Sequence, residues 1–166
     1  MTTAIRRAFF ICAFALCAAA PAAVAGEWGI DIYGLSYHFN RDLAKQLDVD
    51  NSFNPGLGVR YQFAEVERWS FFADAGAYHD SGSNTAVYGG VGALWQVVGG
   101  LQIGGALALM NSDTYNQGKT FIAPLPLVAY DLGPVTLNLI YFPKISNYNE
   151  VASLGFWVTL WPERFK

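Results

Sequence analysis

Residues 57–63 read LGVRYQF. In an extended chain successive side chains point to opposite faces, so Leu57, Val59, Tyr61 and Phe63 share one face while Gly58, Arg60 and Gln62 share the other. The alternation predicts a strand, and it recurs along the chain. WSFFADAGAYHD (69–80) sets Trp69, Phe71, Ala73, Ala75 and Ala77 against Ser70, Asp74, Gly76 and Asp80, with Phe72 and Tyr78 among the polar set. TAVYGGVGALWQV (85–97), LQIGGALALM (101–110), VTLNLIYF (135–142) and ASLGFWVTLW (152–161) follow the same pattern. The run GIDIYGLSYHF (29–39), with Tyr33, Leu35, Tyr37 and Phe39 on one face, and the apolar KTFIAPLPLVAY (119–130) bring the total to eight. Eight is an even number, and about ten residues is the length a tilted strand needs to cross a bilayer.

The connections support the same architecture. AEVER (64–68), VGG (98–100) and DLGP (131–134) are tight, whereas residues 40–54, HDSGSN (79–84), NSDTYNQG (111–118) and KISNYN (144–149) are long and polar. Short and long connections therefore alternate, as in outer-membrane barrels. A soluble ligand-holding barrel shows the same period. Its outer face carries charge, however, while the strands here are almost uncharged on both faces, Arg60 and Asp74 being nearly the only exceptions. Trp69, Trp95, Tyr130, Tyr141 and Trp161 fall near strand ends, where interfacial aromatic belts are expected. The predicted fold is all-β: an eight-stranded antiparallel transmembrane β-barrel of the bacterial outer membrane.

The first 25 residues are predicted to lie outside the barrel. MTTAIRR is basic, AFFICAFALCAAA is apolar, and AVA precedes Gly26, the layout of a cleaved secretory signal peptide. Residues 26–166 are then the barrel. Cys12 and Cys17 both fall in the leader, so no thiol or disulfide chemistry is expected of the mature chain. That chain has eight basic and thirteen acidic side chains, which argues against nucleic acid. Two mature histidines and scattered carboxylates show no metal-ligand spacing, and neither metal nor cofactor is expected.

Eight strands enclose room only for side chains or one slim ligand. Through the middle strands the inward set is small and apolar: Gly90, Gly92, Ala106, Ala108 and Met110, together with Leu94 and Gly104. This is a candidate slot for a hydrocarbon chain, unless bulky Phe72, Tyr88, Phe142 and Trp157 fill the space. Pro55, Pro124, Pro126 and Pro143 lie at or within strands, where a missing N–H breaks a ladder bond that hydrocarbon cannot replace. They mark candidate lateral openings, although Pro55 and Pro143 also suit ordinary strand ends near water.

His38 and His79 each end a strand on the long-loop side, and Asp80 and Ser81 adjoin His79. A histidine that accepts and returns a proton, a carboxylate and a hydroxyl are the groups acyl transfer uses. Asp, Ser, Gly and Asn are also turn formers, so by its residues alone HDSGSN reads first as a turn.

The chain resembles the outer-membrane lipid A palmitoyltransferase family. The likeness is carried by the proline-broken strand, GPVT turn, Y-x-P step and Asn/Tyr-rich loop of FIAPLPLVAYDLGPVTLNLIYFPKISNYNEV (121–151). It extends to the first-strand histidine segment SYHF (36–39), the long charged loop NRDLAKQLDVD (40–50), the entry NPGLG (54–58) and the DS pair of HDSGSN. It departs from the family in leading from Gly26, Glu27 and Trp28 almost directly into a strand, without an amphipathic helix, and in placing Gly82 after Asp80 and Ser81. The resemblance implies an acyltransferase that moves a fatty acyl chain from a phospholipid donor to lipid A or a related glycolipid, measuring the chain in its lumen. His38, Asp80 and Ser81 would be catalytic, with His38 the general base toward the acceptor hydroxyl and Asp80 and Ser81 orienting groups or stabilising developing charge. The prolines would mark the lateral openings, and His79 has no counterpart. Membrane lipids are the expected partners of a monomeric chain. The alternative is a non-enzymatic structural or interaction barrel.

Overall fold

The structure is a computed structural model that describes residues 26–146 and 148–165; the expected signal peptide lies outside the described residues. Eight antiparallel strands close in chain order: β1 (Glu27–His38), β2 (Phe53–Val66), β3 (Trp69–His79), β4 (Thr85–Val98), β5 (Leu101–Asn111), β6 (Phe121–Asp131), β7 (Val135–Phe142) and β8 (Ser153–Leu160). β1 pairs with both β2 and β8, so the sheet closes on itself and most of its backbone groups bond within the wall, as hydrocarbon demands. Tight turns join β2 to β3, β4 to β5 and β6 to β7 at one end. The long connections gather at the other, the first carrying helix α1 (Arg41–Gln46), whose cap Asn40 accepts from the Leu43 N–H at 3.0 Å.

Alternation puts the large apolar side chains outside. Ile30, Leu57, Val91, Leu107, Ile122, Leu137 and Phe156 are all exposed, Leu57 to 64 % and Ile122 to 69 %. A soluble monomer does not present so extensive an apolar surface; on a closed barrel it is the wall that faces lipid, and the chain is an outer-membrane-type barrel. Tyr37 packs edge to face on Phe39, and Phe39 on Tyr141, at the long-loop end. At the other end Trp28 packs tilted on Tyr61, and Trp69 stacks on Phe71. Trp161 does not join either belt. It turns inward, 3 % exposed, and donates to Thr136 Oγ1 at 2.8 Å.

The first strand departs from simple alternation, and the departure matters to everything above it. Tyr33 does not share a face with Leu35, because the register shifts between them at Gly34. Asp31 and His38 are seven residues apart, an odd separation that would put them on opposite faces of a regular strand. The bulge returns both to the lumen, where both are buried.

The turn-side half of the lumen is filled. Phe72, Leu94, Leu127 and Trp157 are buried there. Arg60 pairs with its cross-strand neighbour Asp74 at 3.2 Å, donates to Asn138 Oδ1 at 3.1 Å and lies 4.2 Å above the Phe72 ring. Asp31 accepts from Thr159 Oγ1 at 2.5 Å and Trp157 Nε1 at 3.2 Å. The competing expectation that bulky side chains occupy the lumen therefore holds for this half.

A short 3-10 turn (Pro162–Arg164) after β8 folds Arg164 back across the barrel end. Its guanidinium contacts Glu27 Oε2 at 2.5 Å and Asp131 Oδ2 at 3.1 Å, and stacks over Trp161 at 4.5 Å. The contacts tie both ends of the barrel chain to β6. Arg164→Ala is expected to lower unfolding stability by about 1 kcal/mol, since the groups are partly solvated. Urea titration of the refolded protein measures it.

Candidate active site

Strand parity decides which residues of HDSGSN reach the lumen. Tyr78 points in, so His79 points out, and it is exposed on the outer wall; Asp80 and Ser81, which follow, are buried. The segment is also a genuine turn. Asp80 N donates to Asn84 O at 2.8 Å and Ser83 N to Asp80 O at 3.0 Å, with Ser83 in the left-handed region at φ 62°.

His38 and Ser81, forty-three residues apart, meet here: His38 Nε2 lies 3.0 Å from Ser81 Oγ, and both side chains are buried. Ser36 Oγ stands 3.4 Å from Ser81 Oγ and donates to Asn51 O at 3.2 Å. From the next loop Tyr115 also reaches Ser81, and burial pushes its phenol well above its ordinary value, so it remains a neutral hydroxyl at any physiological pH.

Asp80 does not touch His38 among the contacts of the described residues. Its carboxylate accepts instead from the N–H groups of Gly82 and Asn84, each at 3.0 Å, from Thr114 Oγ1 at 2.8 Å and from Ser112 Oγ. Fully buried, it fastens the β3–β4 turn to the β5–β6 loop and so fixes Ser81 over the lumen. Asp80→Ala would strand four donors at once, and is expected to cost on the order of 3 kcal/mol. Proteolysis after residue 81 or 113 should accelerate in parallel.

Two cavities meet at Ser81, and a third adjoins them. Below it, in the loop-side half of the lumen, is an apolar slot of about 80 Å³, lined among others by Ala106, Ala108, Met110, Leu125 and Ile140 and floored by Tyr33, Tyr88 and Trp157. The hydroxyls of Tyr33 and Tyr88 are bonded to each other across that floor. Gly90 and Gly92 do not line the slot; the Phe72 ring lies over Gly92. Above Ser81 is a polar vestibule of about 320 Å³, bounded by His38, Asp113, Asn116, Gln117, Asn149 and Glu150 and by no lysine or arginine among the described residues. Among the described residues, Ser81 is the one that lines both spaces.

The third is a cleft in the wall. β6 and β7 pair only from Leu127↔Ile140 to Asp131↔Thr136, so the part of β6 that carries Pro124 and Pro126 has no partner on that side. A cavity of about 110 Å³ enters there between Ile122, Pro124 and Leu125 on one lip and Phe142, Pro143 and Ile145 on the other, reaching Met110 and Tyr115. Of the four prolines expected to mark openings, Pro124 and Pro143 line this cleft, and Pro126 lies on the same stretch of β6 that has no β7 partner. Pro55 sits elsewhere, beside the β1–β2 irregularity and just beyond the β2–β3 ladder, which begins at Gly56↔Tyr78.

Sequence reading did not single out Ser36, Asn54, Ser112, Thr114 or Tyr115. Ser36 could have been found by its two-residue spacing from His38. The others come from separate loops or strands, and only closure of the barrel brings them to Ser81. Among the described residues, no group of three His, Cys, Asp or Glu side chains is placed to hold a metal ion.

No protein-family model and no curated protein sequence matches the chain. Among solved structures it is similar to the Yersinia pestis outer membrane protein Ail in a phospholipid bilayer nanodisc, at TM-score 0.49 and 13 % identity, covering 80 % of this chain and 97 % of that one. Neisserial surface protein A gives 0.44 and 16 %, covering 84 % and 99 %. Ail from Yersinia pestis in complex with the heparin analogue sucrose octasulfate gives 0.43 and 10 %, covering 81 % and 96 %. The likeness is one of barrel architecture.

Proposed function

We propose that the protein is an outer-membrane acyltransferase that moves a fatty acyl chain from a phospholipid to a hydroxyl of lipid A or a related glycolipid. The observation that carries the reading is the His38–Ser81 pair, held between an apolar slot and a polar vestibule, with a membrane-facing cleft that shares Met110 and Leu125 with the slot and Tyr115 with the vestibule. A base and a hydroxyl at 3.0 Å form an activated nucleophile. A phospholipid acyl chain enters through the β6–β7 cleft and lies in the slot with its ester at Ser81. Ser81 Oγ bonds to the carbonyl carbon as its proton passes to His38 Nε2. The tetrahedral centre then collapses, the bond to the glycerol oxygen breaks, and His38 returns the proton to the departing lysophospholipid. An acceptor hydroxyl in the vestibule next gives its proton to His38, bonds to the acyl carbon and displaces Ser81 Oγ, which regains a proton. The vestibule's amide and acid groups, with no cation among them, suit a hydroxyl-rich acceptor head group.

In this scheme Ser81 is the nucleophile rather than an orienting group, and Asp80 holds the turn. The reading is tested by incubating the refolded barrel with phospholipid and glycolipid and weighing the products. One added acyl chain on the glycolipid supports it, free fatty acid alone would make water the acceptor, and unchanged lipids would reject enzymatic activity.

A second reading, a structural or interaction barrel, is favoured by the filled turn-side lumen and by the small volume of the slot. Unchanged lipids together with retained loop-dependent binding to a surface would establish it.

A further inference from the structure

Two polar side chains in the slot have no partner. Asn54 is 6 % exposed, and neither its Nδ2 nor its Oδ1 makes a hydrogen bond; the Tyr78 hydroxyl is buried and likewise unbonded. Both line the same apolar cavity as Ser81. Buried polar groups are nearly always satisfied, and an orphan in a low-dielectric site is costly, so each requires a reason. The fold places these two with some care. Asn54 lies inward on β2 at the β1–β2 irregularity, two residues from Ser52, whose carbonyl accepts from the Ser36 N–H at 3.0 Å. Tyr78 is fixed in the barrel by tilted packing on Tyr33 at 5.6 Å and Tyr88 at 6.5 Å. Its neighbours in the chain lead directly to Ser81. Other polar groups at this level are already engaged: Ser36 with Asn51, Asp80 with its four donors, Tyr33 with Tyr88.

We infer that Asn54 Nδ2 and the Tyr78 hydroxyl form an anion-stabilising pair for the carbonyl oxygen of the acyl ester, an inference that rests on the acyl-transfer reading above. With the acyl chain in the slot and the ester at Ser81, the carbonyl oxygen is the one strong acceptor brought into this apolar space. When Ser81 Oγ adds to the carbonyl carbon, the C=O electron pair moves onto that oxygen, and two fixed donors meet the negative charge. When the tetrahedral centre collapses, the pair returns and the ester oxygen leaves. Donors already desolvated and without a competing partner need little reorganisation at this step, the condition under which such stabilisation is strongest.

Asn54→Leu keeps the side-chain size and removes the amide, and Tyr78→Phe removes only the hydroxyl. Each refolded variant is compared with wild type for kcat, KM, thermal unfolding and binding of two probes: a long-chain alkyl phosphonate, which presents a tetrahedral anion, and the chain-matched alcohol. Asn54→Leu is expected to lower kcat about 10² to 10³-fold with KM nearly unchanged. Phosphonate binding should fall by a similar factor, alcohol binding should stay, and the unfolding midpoint should hold or rise because an unsatisfied buried amide is gone. Tyr78→Phe should show the same pattern more weakly. Unchanged kcat and unchanged phosphonate binding in Asn54→Leu would overturn the inference, as would activity loss that merely follows a lowered unfolding midpoint. If wild type transfers no acyl chain, the acyl-transfer reading fails, and the phosphonate preference and its loss in Asn54→Leu decide the pair on their own.

Discussion

Ser81→Ala is expected to reduce acyl transfer by about three orders of magnitude or more, with the barrel refolding as wild type. The magnitude follows from the role: removing a nucleophile deletes the covalent route altogether and leaves only what binding and the surrounding donors supply. The structural cost is small. Ser81 loses one hydroxyl, its carbonyl still accepts from Asn51 N at 3.2 Å, and the Asp80 network that holds the turn is untouched. His38→Ala should lose activity to a comparable degree, and the double variant should be little worse than either single one, because base and nucleophile act as a unit. Intact-protein mass spectrometry of wild type with phospholipid but no acceptor should reveal a one-acyl adduct, absent in Ser81→Ala. If Ser81→Ala keeps a substantial rate while His38→Ala does not, the acceptor hydroxyl attacks the donor directly and Ser81 only positions His38. If both variants keep it, the chemistry lies elsewhere.

The barrel was legible because its signal is short-range: period-two alternation needs only neighbouring residues, and strand after strand repeats it. What the sequence hid depends on geometry that neighbours do not encode. Gly34 is the single visible trace of the bulge that moves Tyr33 inward and returns His38 to the lumen. Trp161 has the position of a belt residue, yet it turns in because Thr136 and Arg164 receive it there. Gly92 has the size of a slot residue but lies beneath Phe72, a contact between strands that no local pattern announces. The same division runs through the site. Parity along β3 already separates His79 from Asp80, whereas the side-chain partners of Asp80 come from residues 112 and 114, across a loop whose path is set only when β4 and β5 are in place. Sequence therefore gives good access to which residues reach the rim and poor access to what each of them touches.

Closing the β6–β7 cleft is expected to abolish turnover of bilayer phospholipid while leaving the catalytic pair intact. The ladder between these strands stops at Leu127↔Ile140, and continued in register it would set Pro124 opposite Pro143. Neither proline can donate a backbone N–H, so the strands have no complete ladder to form at this level, and the gap is maintained by chemistry rather than by a bound ligand. Pro124→Cys with Pro143→Cys introduces a closable pair into residues 26–166, which have no cysteine of their own. A disulfide forms only if the two Cα atoms approach within about 7 Å, so oxidation captures the closed wall. Transfer from phospholipid vesicles should then fall at least tenfold and return on reduction. A short-chain, water-soluble ester reaches Ser81 through the vestibule instead, and its turnover should be the same oxidised or reduced. Each single-cysteine variant should be indifferent to oxidant. Full cross-linking with undiminished phospholipid turnover would mean that lipid reaches Ser81 by another path, the candidate being the break at Pro55, where the β2–β3 ladder has not yet begun. Equal loss with both substrates would mean that the cross-link distorts the His38–Ser81 pair rather than barring entry.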